Sequence, residues 1–412
     1  MKHLLQNFWQ DIRAHKTRAF LTTMAITWGV LAVTLLMAFG LGLSVQMRTS
    51  FINAGDRIVR IYGGQTTKKW QGLPIGRQIR LVESDAEVLK KNIPQVAVAI
   101  PGVGKYCRLE YEGKTVSTYM EGVYPEFSEL RRMFPAAGGR FINSEDLEQR
   151  RRVVFLGEEI AGEIFGKTNP IGQTLKIDGL PYKVIGIMPK KMQTSMNNGP
   201  DNRRAIIPFS TFMSVYGYRT IHELLVRPVD PIYGAYVEKE ARRVLGSKYQ
   251  FDPEDERALP VWNFIEEEAI GAKVFLGINI FLAIIGTMSL LVAGVGVANI
   301  MFVVVKERTR EIGIKRAIGA KRKHILWQIV FESLLIAFSG GAIGLLISLG
   351  IVRLMWMIPA GDGAMQFLGR PILSGGVVFI AFLLLTIIGL LAGLFPARKA
   401  AAVNPVEALR YE

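Results

Sequence analysis

Four apolar stretches, at 19–45, 274–305, 325–358 and 372–395, govern what this 412-residue chain can fold into. A hydrocarbon core about 30 Å thick is crossed by roughly 20 mostly apolar helical residues, and each stretch reaches that length. Inside lipid a backbone must satisfy its own hydrogen bonds, so each stretch is predicted to be a helix. Residues 46–273, of mixed composition, separate the first two; the other gaps are short. Half of all residues are hydrophobic and 21% are charged, with a positive mean hydropathy. That is too apolar for an ordinary soluble chain and too charged for one that is membrane throughout. The predicted fold class is an α+β membrane protein, with four transmembrane helices and a large extracytoplasmic α/β domain on a helical stalk.

The net charge of +15 raises the question of nucleic acid, which its distribution answers. Residues 306–323 carry eight Lys/Arg against two Glu, the first eighteen residues a net +3, and the tail after Phe395 a net +1. Basic residues beside spanning helices stay on the cytoplasmic side. The excess is therefore a topology signal and not a polyanion-binding surface, and no nucleic-acid partner is expected. Both termini (1–18 and 396–412) and the 306–324 loop are predicted inside the cell; 46–273 and the short 359–371 loop are predicted outside. Leu4, Leu5, Phe8, Trp9 and Ile12 share one helical face, which predicts an amphipathic helix lying on membrane lipid over 1–18. The first apolar stretch is too long for the core of a cleaved signal peptide. Cys107 stands alone, and His3, His15, His222 and His324 form no metal-ligand spacing, so neither disulfide nor metal is expected.

Between the first two spans, strand patterns fall at 56–63, 96–100, 152–156 and 223–228, with helix patterns at 158–165, 209–215 and 235–245. Hairpins are predicted to turn at Glu112-Gly113 and Asp178-Gly179. Ser84-Asp85 reads as the cap of a helix ending at Asn92, 65–77 as a mobile loop, and 248–252 as a strand. The order of elements predicts one α/β subdomain from 56–104 plus 219–262, with a second, 105–218, inserted in it. Helical pattern runs from the first span through Val45 and Met47, and from Trp262 through 266–268 into the second, predicting the paired stalk.

AGEIFGKT at 161–168 fits a relaxed phosphate-loop pattern. Such a loop needs strand, glycines and then a helix opening at the Lys. Here helical pattern precedes Gly166 and Asn169-Pro170 follows, so no nucleotide site is expected on this chain. No nucleophile–base set is visible, and no catalytic residue is predicted. Glu332 and Arg353 lie within the third apolar stretch and are predicted to snorkel toward its ends. Gly340 with Gly344, and Gly389 with Gly393, are spaced for close helix crossing, inside this bundle or against a second copy. In the basic loop Ile312, Ile314 and Ile318 alternate with charge, as in a short amphipathic helix that offers an apolar docking face to a partner.

GVGVANIM at 294–301, followed by KERTREIGIKRAIGAK at 306–321, resembles the signature of MacB/FtsX-type ABC transporter permeases. RAHKTRAFLT at 13–22, VVFLG at 153–157, FGKTNPIGQ at 165–173, IPFST at 207–211 and PARKAAAVNPVEALR at 396–410 extend the resemblance over most of the chain. It implies a four-span inner-membrane subunit working as a dimer with a second copy or a sibling permease. It also implies that the loop between spans two and three is a coupling helix seated in a cytoplasmic ABC ATPase dimer. The coupling residues would be Glu307, Arg308, Thr309, Arg310, Glu311, Ile312, Gly313, Ile314, Lys315, Ala317, Ile318 and Gly319. ATP and Mg would sit on that partner, with no cofactor on this chain. ATP-driven closure would move the stalks, a mode termed mechanotransmission, to export cargo such as a drug or peptide, with a periplasmic adaptor and outer-membrane channel as further partners. Lipoprotein release and FtsX-like regulation of envelope enzymes use the same scaffold. Many MacB proteins carry a fused ATPase ahead of the permease; this chain opens at the membrane helix, so a separate ATPase chain is expected.

Overall fold

A computed structural model describes residues 16–192, 198–358 and 369–402. The predicted amphipathic face of Leu4 to Ile12, most of the 359–371 loop and the end of the tail lie outside the described residues. The helices are α1 (Lys16–Ala54), α2 (Asp85–Asn92), α3 (Phe127–Leu130), α4 (Ser144–Glu148), α5 (Glu158–Phe165), α6 (Phe209–Tyr216), α7 (Gly234–Tyr249), α8 (Phe264–Glu307), α9 (Thr309–Ala317), α10 (Arg322–Met357) and α11 (Gly375–Ala402). The strands are β1 (Val59–Tyr62), β2 (Val96–Tyr111), β3 (Lys114–Val123), β4 (Val153–Gly157), β5 (Thr174–Ile177), β6 (Leu180–Met188), β7 (Arg204–Pro208), β8 (Glu223–Pro228) and β9 (Val261–Asn263). The chain forms two compact units, Met1–Gln46 with Lys273–Glu412, and Met47–Ala272.

In the first unit α1, α8, α10 and α11 are each long and apolar enough to cross a membrane. At 1.5 Å per residue, the 39 residues of α1 and 44 of α8 extend about 58 and 66 Å, roughly twice the hydrocarbon thickness. The helices pack through small residues. A Cβ on Gly340 would come within 2.9 Å of the Ile26 Cβ of α1, and one on Gly344 within 2.7 Å of the Thr27 carbonyl oxygen. Gly389 and Gly393 of α11 lie equally close to α10, a Cβ there meeting Ala337 Cβ at 3.1 Å and Ser333 Cβ at 2.9 Å. All four spaced glycines thus make crossings inside this bundle. Two polar pairs cross between its helices: the Thr34 and Ser348 hydroxyls share a hydrogen bond of 2.5 Å, and Asn279 Nδ2 donates to Ser44 Oγ at 2.8 Å. In lipid, where water cannot compensate, such pairing keeps polar atoms from being stranded.

The second unit is built on a nine-stranded mixed sheet of order β3-β7-β4-β6-β5-β2-β8-β1-β9, with β3 also paired to β2. That extra pairing closes six strands into a ring, from which β8, β1 and β9 continue. β2 belongs to both parts: 96–102 run antiparallel to β8 and 103–111 to β3. The boundary predicted near residue 105 therefore falls inside one unbroken strand. Glu112 and Gly113, then Asp178 and Gly179, take positive φ at the two hairpin turns, the geometry a two-residue loop demands. Near the unit's edge, Arg48 of α1 lies 3.5 Å from Glu268 of α8, and Gly271 of α8 leaves room for the Phe51 ring.

Three local predictions need correction. Residues 248–252 are not a strand: α7 runs on to Tyr249 and stops at Gln250, which takes the left-handed conformation. The last turn of α7 is held because Lys248 Nζ and Tyr249 Oη both donate to the Asp85 carboxylate, at 2.5 and 2.6 Å. The flanking strand is β9. Ser84 makes no side-chain cap; instead Asp85 accepts from the Val82 N–H at 2.8 Å. The 65–77 loop is irregular but tied down, since Asp255 accepts from the Thr67 N–H and hydroxyl and from the Lys68 N–H at 2.6–2.9 Å.

Candidate coupling site

The connector between the second and third spans is a helix with two defined ends. α8 stops at Glu307, and Arg308 (φ −93°, ψ 10°) redirects the chain into α9. The Thr309 hydroxyl turns back toward the Lys306 carbonyl at 2.8 Å and the Val305 carbonyl at 3.2 Å, donating into the last turn of α8. At the other end the Gly319 N–H donates to the Arg316 carbonyl and the Ala320 N–H to that of Lys315. With Gly319 at φ +100°, this is the six-to-one helix stop that a glycine permits, and α10 then opens at Arg322.

Ile312 and Gly313 face the protein's own core, where Ile312 (7% exposed) joins Val305, Ile325 and Ile329. Ile314 and Ile318 face away, 46% and 81% exposed, among the exposed Glu307, Arg310, Glu311 and Ala317. The predicted docking triplet is therefore split. Residues two apart on an α-helix are about 200° apart, whereas four apart are neighbours, so Ile312 opposes Ile314 while Ile318 lies beside it.

Glu332 does not snorkel. It is 6% exposed and accepts from Arg308 Nη1 at 3.3 Å and from Gln328 Nε2 at 3.1 Å. Arg308 approaches it from the α8–α9 junction, so the connector supplies its counter-charge. Arg316 Nη1 donates to the Ala401 carbonyl at 3.2 Å, joining the connector to the last turn of α11. Arg353 is exposed near the other end of α10. Between the connector and the spans lies a cavity of about 180 Å³, bounded by Met301, Val305, Arg308, Glu311, Lys315 and Glu332 among others.

The phosphate-loop mimic folds in the order foreseen. α5 precedes Gly166, which takes positive φ as its C-terminal stop, and no helix opens at Lys167. The backbone N–H groups of a helix start are thus not presented to that loop.

Sequence reasoning missed a buried charge hub in the second unit. Asp201 receives Arg131 Nη2 at 2.8 Å, Lys191 Nζ at 2.6 Å and Arg204 Nε at 3.3 Å. Arg204 also pairs with Glu121, and Arg60 grips Glu223 through two hydrogen bonds of 2.6 Å. Burial alone would raise the Asp201 carboxyl, but the charges of Arg131, Lys191 and Arg204 outweigh it and hold the group well below the usual carboxylate range. Burial lowers the Lys191 ammonium to about 8, with Asp201 opposing the fall. Lys191 Nζ also donates to the Asn53 carbonyl in the last turn of α1, and Asn53 Nδ2 donates to the Met192 carbonyl. Little in the local sequence marks these residues, because its longer pairs join side chains 70 (Arg131–Asp201), 83 (Arg204–Glu121) and 163 (Arg60–Glu223) positions apart.

Four spanning helices, an α/β domain between the first and second, and a short basic helix between the second and third define a multi-pass inner-membrane protein of the permease class. Residues 19–244 match the MacB-like periplasmic core domain and residues 283–405 the FtsX-like permease C-terminal domain. The chain belongs to the MacB/FtsX-type ABC transporter permease family. It is 29% identical over 414 residues to the "Macrolide export ATP-binding/permease protein MacB" of Bdellovibrio bacteriovorus, covering 100% of this chain and 62% of that protein. The MacB protein of Chlorobium luteolum is 32% identical, over 99% of this chain and 60% of its own length. The chain thus spans about three-fifths of the length of these relatives. Among solved structures, the extracellular domain of the ABC-type transporter YknZ aligns at 18% identity and TM-score 0.42, over 50% of this chain and 100% of that one. The periplasmic region of MacB from Actinobacillus actinomycetemcomitans aligns at 21% identity and TM-score 0.42, over 53% and 94%.

Proposed function

We propose that this chain is the membrane subunit of an ABC exporter, in which a partner ATPase docks on α9 and its nucleotide cycle moves the Met47–Ala272 unit to drive cargo outward. The observation that carries this reading is the build of α9. Arg308 and Arg316 fix it to α10 and α11, while Ile314 and Ile318 remain outward among charged residues of both signs. A rigidly mounted helix with an exposed apolar pair is suited to receive force, because docking energy is not lost in local bending. The basic flanks support a cytoplasmic α9 and cytoplasmic termini, with the α/β unit outside.

ATP and Mg are assigned to the partner in this reading; the phosphate-loop-like segment at 161–168 has its helix ahead of Gly166 and not after it. The names of the relatives join ATP binding, permease and macrolide export; an amphiphilic drug or peptide is the cargo class proposed here. A second permease copy completes the assembly, with a periplasmic adaptor and outer-membrane channel beyond it.

The test is to isolate the full chain from its native membranes in the presence of ATP and vanadate and identify what accompanies it. Recovery of an ABC ATPase that is lost with Ile318→Asp supports the reading. Recovery undiminished by that substitution, or no ATPase at all, overturns it.

A further inference from the structure

The cavity beside α9 has a composition that selects its occupant. Its apolar side is formed by Met301, Val304 and Val305 of α8, and its polar side by two cations, Arg308 and Lys315, and two carboxylates, Glu311 and Glu332. Arg308 and Glu332 are already joined at the back. Lys315 is half-buried, yet neither it nor Glu311 has a hydrogen-bond or ion-pair partner among the described residues. Lys315 and Glu311, one helical turn apart, thus keep their donors and acceptors open to a ligand that carries both charges.

A purely anionic ligand would meet two carboxylates, and a purely cationic one two cations. A zwitterion with phosphate and ammonium a few atoms apart meets both. The lining residues lie in the last two turns of α8 and the first three of α10, beside the basic connector that marks the cytoplasmic edge of the spans, where lipid headgroups are expected. A volume of about 180 Å³ suits a headgroup and not a whole lipid, and the Met301–Val304 side leads an acyl chain back toward the apolar part of α8.

We propose that this cavity binds the headgroup of phosphatidylethanolamine, its phosphate against Lys315 and Arg308 and its primary ammonium against Glu311 and Glu332. The three N–H donors of a primary ammonium suit carboxylate acceptors, whereas the trimethylammonium of phosphatidylcholine offers none, and phosphatidylglycerol carries no cation. The site is independent of cargo and of the identity of any ATPase.

The experiment is native mass spectrometry of the full chain released from nanodiscs of phosphatidylglycerol doped with phosphatidylethanolamine or phosphatidylcholine. The expected result is one retained phosphatidylethanolamine per chain and no retained phosphatidylcholine. Retention is expected to weaken about tenfold, or about 1.4 kcal/mol, in each of Lys315→Ala and Glu311→Gln, two substitutions outside the packed core. Lys273→Ala, at the far end of α8, serves as the control and leaves retention unchanged. Displacement by soluble phosphoethanolamine but not by inorganic phosphate supports the headgroup assignment. Equal displacement by inorganic phosphate would reduce the site to a simple anion site and overturn it. Equal retention of all three lipids, or retention unaffected in both variants, also overturns it.

Discussion

Arg308 Nη1 lies 3.3 Å from Glu332 Oε2, joining the junction of α8 and α9 to a carboxylate buried roughly three turns inside α10. A charge removed from such a pair leaves its partner in a medium that solvates it poorly. Glu332→Gln keeps the shape and one acceptor but loses the charge. The expected outcome is normal insertion and ATPase assembly, with permease-dependent ATP hydrolysis in proteoliposomes reduced several-fold. The exchange Arg308→Glu with Glu332→Arg is expected to recover part of that activity, and hydrolysis at the wild-type rate in Glu332→Gln would contradict the role.

The two faces of α9 should fail in different ways. Ile312→Ala removes a buried side chain and is expected to cost about 2–4 kcal/mol of stability, read by denaturant titration in detergent. Ile314→Asp and Ile318→Asp change exposed positions and are expected to leave that titration within about 0.5 kcal/mol while weakening ATPase recovery at least about tenfold. Interchanged outcomes would mean that the docking face has been misassigned.

Glycines of α10 offer a paired test of the helix crossings. Gly344→Ala drives a methyl group against the Thr27 carbonyl and is expected to destabilise the bundle by about 1–3 kcal/mol. Gly350, six residues further along the same helix, has open space at its Cβ position. There the same substitution is expected to be neutral or stabilising by up to about 1 kcal/mol, from helix propensity alone. Unfolding titrations of the two variants in mixed micelles compare them directly.

The buried hub predicts a pH dependence with two limbs. The Asp201 carboxyl is depressed in the folded state, so its contribution is present above the unfolded value of about 3.9 and is lost as pH falls below it. Asp201→Asn should flatten the acid limb of the thermal unfolding curve. The Lys191 ammonium is lowered to about 8, so between that pH and about 10.4 the unfolded chain holds the extra proton and this group's contribution rises with pH. Over that window the wild-type protein should gain stability relative to Lys191→Met; a constant difference would show that Lys191 keeps an ordinary affinity for its proton.

Elements with a strong local signal were legible in the sequence: the four spans by length and apolarity, the hairpins by Glu112-Gly113 and Asp178-Gly179, and α5 to the residue. What could not be read depended on distant partners. Residues 248–252 have strand-forming Tyr and Phe, but Asp85, far away in sequence, holds Lys248 and Tyr249 in a helix. Glu332 looked like a side chain seeking water because Arg308 becomes its neighbour only when the connector folds back. Alternation of isoleucine with charge located α9 but could not divide its faces, since a period of two and a period of 3.6 assign Ile312 and Ile314 differently. Of the candidate site, the segment was legible and its orientation was not.

One consequence follows from the strand that both halves of the α/β unit share. With 96–102 hydrogen-bonded to β8 and 103–111 to β3, any load placed on one half passes along the covalent backbone of β2 into the other. The halves cannot shear past each other without breaking two ladders at once. Pulled in an optical trap, the unit would give way in a single rupture and not in two successive ones: mechanically it is a beam, not a hinge.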